Sequence, residues 1–244
     1  MFNHHEALKH LQSSYGVECT LSHEFGESLD KQCLGSVGMG LVGDAINCLL
    51  VGWNDPVREL LEKAETFLTA SIEGKEKGNH YFEFGTDALR HESRALCRLF
   101  LQGAPDRADW REAAQLNIAY YQRGRKIDKG GLSLALVDLV LGERPAELLS
   151  LYHQAGLKPP PSAAKARTES ALAYVIASDE FEAPYTETFN KVFSQQVPAW
   201  LARGHHVRVA KWMCVAYLQP AASPQETLWR CYDFLPGVSR PGTS

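Results

Sequence analysis

Apolar residues recur along this chain at intervals of three and four, the period of a helix with one buried face. No stretch shows the convincing alternation of a half-buried strand. Val57, Leu60, Leu61, Ala64, Phe67 and Leu68 form one such stripe. Asn54-Asp55-Pro56 precedes it; Asp55 suits a helix cap and Pro56 suits the first helical position, where no amide hydrogen is needed. Thr86 opens a second helix with Ala88, Leu89, Ala95, Leu96, Leu99 and Phe100 inward. Asp106 or Asp109 starts a third, with Trp110, Ala113, Ala114, Ile118 and Tyr121 on one face. Leu132–Leu141 is apolar nearly all round, interrupted only by Asp138, which places it in the middle of the fold. Pro145–Ala155 turns Leu148, Leu149 and Tyr152 inward. Thr168–Ser178, Thr186–Ala202 and His206–Leu218 also read as helices, the second kinked or interrupted at Pro198.

The fold this pattern predicts is all-α: stacked helical hairpins, an irregular bundle resembling a helical repeat, with no significant sheet. Pro159-Pro160-Pro161 is a stiff extended connector and the best boundary. It separates an N-terminal hairpin region, residues 1–158, from a C-terminal helical region, residues 162–244, packed on it as one continuous unit. From Pro220 the chain is rich in proline, with Trp229, Tyr232 and Phe234 placed to anchor it to the body. A weak internal echo runs through Leu50-Val51-Gly52, Leu101-Gln102-Gly103 and Leu141-Gly142. Each ends a helix at a glycine, suited to a left-handed backbone, before a proline-bearing turn. The unequal intervals do not establish a regular repeat.

Charge narrows the partners. The 244 residues carry 29 acids against 25 bases, a net −4, which disfavours nucleic acid because affinity there comes largely from cations on phosphates. Leu132–Leu141 is far shorter than the roughly 20 apolar residues that cross a bilayer, and the N-terminal residues carry no export signal. The expectation is therefore a cytoplasmic chain with no membrane and no nucleic-acid partner. Cys19, Cys33, Cys48, Cys97, Cys214 and Cys231 are scattered without a C-x-x-C pair, as reduced thiols would be.

Gly38-Met39-Gly40-Leu41-Val42-Gly43 spells G-x-G-x-x-G, the letters of a dinucleotide cradle. That cradle needs a buried strand before it and a second strand about 20 residues on, ending in an acid. Lys31–Val37 makes a poor strand, and Glu59 and Glu62 fall on the helix after Pro56. A helix capped by Ser36, with Val42, Ala45, Ile46, Leu49 and Leu50 inward, fits better, Gly40 and Gly43 permitting close helix approach. No cofactor is expected. His4-His5 and His205-His206 are adjacent pairs, and neither His23-Glu24 nor His91-Glu92 has the second histidine of a zinc helix; no metal is expected. Asp87 and His91 share a helix face as a surface pair. Asn117 falls on an apolar stripe and reads as a buried amide bonding backbone across a helix pair. The run Arg123–Lys129 closes a helix whose carbonyl end favours cations. No catalytic motif emerges, so an enzyme is the least supported class.

Helices ending in Leu-x-Gly, proline-bearing turns, mild acidity and the absence of an active-site motif resemble helical immunity proteins of bacterial toxin systems. The resemblance is to the family called immunity protein 49, over Gly40 to Leu218. It implies a cytoplasmic protein that binds and silences a cognate protein toxin, with a helical-repeat scaffold for peptides, or an enzyme with an unrecognised site, as alternatives. The candidate contact surface is Asp179-Glu180-Phe181-Glu182-Ala183-Pro184-Tyr185-Thr186-Glu187. There Asp179, Glu180, Glu182 and Glu187 would meet a basic cleft, and Phe181 and Tyr185 would supply tight contacts. The plainer reading is a solvated loop anchored by its two rings.

Overall fold

The computed structural model describes residues 31–50, 53–73, 83–102, 107–123, 129–162, 165–166, 168–178, 200, 203 and 211. Those residues form seven helices and no strand: α1 (Lys31–Leu50), α2 (Val57–Glu73), α3 (Glu83–Gln102), α4 (Arg107–Arg123), α5 (Lys129–Leu141), α6 (Pro145–Gln154) and α7 (Glu169–Ala177). Trp200 and Lys211 are also helical. Each helix packs on the next, α1 also reaches α3, and α5 also reaches α7. That is the arrangement of hairpins stacked in chain order.

One apolar core runs through all seven helices. In α2 the stripe of Val57, Leu60, Leu61, Ala64 and Leu68 is buried, while Arg58–Glu62 and Lys63–Glu59 pairs decorate the outer face. α5 is buried on almost every side, as its largely apolar sequence requires, and so it is the central helix. Thr168 caps α7, its hydroxyl accepting from the Ala171 amide at 3.2 Å. Pro145 sits in the first turn of α6, where its missing amide hydrogen costs nothing.

Several local expectations fail for identifiable reasons. The glycine-rich segment is helical, as expected, but α1 begins at Lys31, so Ser36 is an exposed mid-helix residue rather than a cap. The close approach is made by Gly35 and Gly38, not Gly43. A β-carbon on Gly38 would lie 2.7 Å from Leu68 Cγ, whereas one on Gly43 would meet nothing within 4 Å. Gly40 is half-buried. Leu89 is 39% exposed rather than inward. It lies one position past Ala88, off the buried row.

At the end of α5 the left-handed residue is Glu143, with φ 53°, and not Gly142. Gly142 instead leaves room for Arg111, whose Nε donates to the Gly142 carbonyl at 2.8 Å. The left-handed glycine is Gly156, with φ 67°, just past α6. Thr186–Ala202 and His206–Leu218 lie outside the described residues except at Trp200 and Lys211, as do Gly52, Gly103 and Trp229 to Phe234.

Candidate functional site

The inward row of α3 runs Ala88, Glu92, Ala95, Leu96 and Leu99, so helical geometry carries a carboxylate into the core at Glu92. α4 brings Asn117 to the same place by the same rule, and the all-apolar α5 brings Asp138. Lys211 enters from the C-terminal region. The exposures decide what these groups can do: Glu92 and Lys211 are 1% exposed and Asp138 0%. Lys211 Nζ stands 2.8 Å from Glu92 Oε1 and 2.5 Å from Asp138 Oδ1. Asn117 Nδ2 donates to Glu92 Oε1 at 3.1 Å and to Asp138 Oδ2 at 2.8 Å. The Trp110 ring closes the cluster, its centre 5.7 Å from Nζ, close enough for the ring face to attract a cation.

The ammonium lies within ion-pair distance of both carboxylates. Burial, and then the neighbouring Glu92 charge, push the Asp138 carboxyl well above the usual carboxylate range despite Lys211 and Asn117. Burial alone would lower Lys211, but Asp138 and Glu92 outweigh it and raise the ammonium. Burial with a second carboxylate nearby raises Asp138, and two carboxylates facing one ammonium raise Lys211, so the cluster favours protons.

A second network lies on the neighbouring turns. Asp109 accepts from Arg94 at two points, 2.7 and 2.8 Å, and from His91 Nδ1 at 2.7 Å. Because a carboxylate only accepts, His91 carries its proton on Nδ1. Arg98 reaches Asp109 at 3.4 Å and Glu65 at 2.9 Å, tying α2, α3 and α4 together. Burial opposes ionisation of Asp109, but the bonds from His91 and Arg94 prevail and hold its carboxyl at about 2. Asp109 is therefore an interior anchor in the first turn of α4.

The candidate partner-binding residues Asp179, Glu180, Phe181, Glu182, Tyr185 and Glu187 lie outside the described residues. Asp87 and His91 each engage another residue: Asp87 pairs with Arg90 at 2.8 Å and His91 with Asp109. Asn117 is buried as expected, but it bonds two carboxylates rather than backbone. The basic run divides, with Arg123 ending α4, residues 124–128 outside the description, and Lys129 opening α5.

Sequence reasoning missed Glu92 and Lys211, although a signal was present. Asp138 interrupts an otherwise apolar helix and Glu92 sits on an apolar row, and such charges have to find countercharges in the interior. Among the described residues, no three His, Cys, Asp or Glu side chains are grouped to hold a metal ion, and no helix is long and apolar enough to cross a membrane. No protein-family model, curated protein or solved structure matches the chain.

Proposed function

We propose that this chain is an immunity protein, a cytoplasmic helical protein that neutralises a cognate toxin by direct contact. The observation that favours binding over chemistry is the burial of Glu92, Asp138 and Lys211. Groups that would be reactive in a cleft are engaged with one another where a substrate does not reach, and they join helices instead. The choice of a toxin as partner rests on the resemblance in sequence texture of Gly40–Leu218 to helical immunity proteins. In this reading the acidic segment Asp179–Glu187 speeds encounter with a basic toxin surface.

A toxin-like reading frame beside the gene would favour the reading, and co-expression of this chain with the product of such a frame tests it. Growth should be protected, and the purified pair should form a tight complex. Unprotected growth, with both proteins folded and no complex, rejects it. Neutralising Asp179, Glu180, Glu182 and Glu187 together should slow association at low salt and flatten its salt dependence; an unchanged rate removes the segment from the interface. The chain-order stacking of hairpins favours a second reading, a scaffold for several peptides. Weak binding of many unrelated segments, instead of tight binding of one partner, would select it.

A further inference from the structure

We infer that Glu92, Asp138, Asn117 and the Trp110 ring form a receptor for a primary alkylammonium, filled in cis by Lys211, which thereby ties α3, α4 and α5 together at that point. The inference is independent of the identity of any partner. Three separate helices contribute: α3 gives Glu92, α4 gives Asn117 and Trp110, and α5 gives Asp138. Two carboxylate oxygens lie 2.8 and 2.5 Å from the nitrogen, and the aromatic face stands on another side. Asn117 donates to both carboxylates at 3.1 and 2.8 Å and so holds them facing the same point. It is a positioning residue for the receptor.

The chemistry selects its ligand. A primary ammonium is a compact cation with three donors and can address two carboxylates at once. A guanidinium is planar and wider, and a quaternary ammonium has no hydrogen to donate. The receptor also carries one more carboxylate than ammonium, so a cation there spares its carboxylates from having to take up protons or water. Removing the lysine leaves both carboxylates without a countercharge.

Lys211→Ala deletes three methylenes and the ammonium, a volume that n-propylammonium reproduces. Urea unfolding of the full-length Lys211→Ala chain should show a folding constant lower by about 10²-fold or more. n-Propylammonium should raise the midpoint in a saturable way. Tetramethylammonium at equal ionic strength should not, and neither should move the wild-type midpoint beyond the common salt effect. Should Lys211→Ala be too unstable to isolate, Lys211→Ala/Asp138→Asn leaves one carboxylate instead of two without a countercharge and serves for the same titration. Equal effects of the two cations, or no effect of either in the variant that folds, would overturn the receptor. So would a Lys211→Ala chain as stable as wild type.

Discussion

Gly38 and Gly43 lie five residues apart on α1 and should respond in opposite ways to the same added methyl group. Replacing a mid-helix glycine by alanine stabilises a helix by about 0.5–1 kcal/mol, through lost freedom of the unfolded backbone. At Gly43 nothing lies within 4 Å of the new carbon, so Gly43→Ala should retain that gain. At Gly38 the carbon would fall 2.7 Å from Leu68 Cγ, 3.1 Å from its Cδ2 and 3.3 Å from the Ala64 carbonyl oxygen. Leu68 is fully buried and Cγ is the branch point of its side chain, so relief requires α1 and α2 to separate. Such overpacking costs about 1–3 kcal/mol. Net of the helix gain, Gly38→Ala should destabilise by up to about 2 kcal/mol, and the two variants should differ by about 1–3 kcal/mol. Urea unfolding at fixed pH, comparing midpoints at constant slope, reads this directly. Equal stabilisation by both variants would refute the close contact of α1 and α2. Saturable NAD binding by the wild type, lost in Gly38→Ala, would refute the packing role of the glycine set altogether.

The Asp109 carboxyl is held at about 2, below its ordinary 3.8, so its contribution of about 2 kcal/mol is present above pH 4 and is lost as pH falls through 2. Asp109→Asn should remove that acid-limb slope in a pH series of unfolding midpoints. Asp138 has the opposite sign: its carboxyl is raised, so the associated stability is complete in acid and declines as pH rises through the elevated value. Asp138→Asn should flatten that decline, and an unchanged pH profile would contradict the buried excess of charge. Burial, aided by the charge of Asp44, pushes the Cys48 thiol up to about 12, and burial raises Cys97 further. Peptide mapping after thiol alkylation at pH 8 should find both unmodified in the native chain and both modified in denaturant. Thr168→Ala removes the cap of α7 and should cost about 1 kcal/mol, measured by the same unfolding assay.

The helical architecture was legible because its signal is periodic and local. The stripe from Val57 to Leu68 fixed the buried face of α2, and the proline and threonine at the starts of α6 and α7 fixed their first turns. Which glycine touches a neighbour was not legible. Gly35, Gly38 and Gly43 differ only in where α2 and α3 lie, and that is a tertiary fact. The charge cluster was half legible. Asn117 announced itself by interrupting an apolar stripe, but its bonding partners come from 25 residues before it and 21 after it. Lys211 was hidden for the same reason: a lysine between apolar neighbours acquires meaning only when Glu92 and Asp138 converge on it.

The chain is made from one end, and Glu92 and Asp138 leave the ribosome 119 and 73 residues ahead of Lys211. At about 5–20 residues per second, the stretch from Asp138 to Lys211 takes about 4–15 s. In that interval any interior shared by the segments of α3, α4 and α5 carries two carboxylates and no ammonium. Sealing it dry would bury uncompensated charge, so water or bound protons have to remain there until Lys211 arrives. Completion of this cluster therefore waits for residue 211 to be made, and until then its carboxylates have to stay hydrated or protonated.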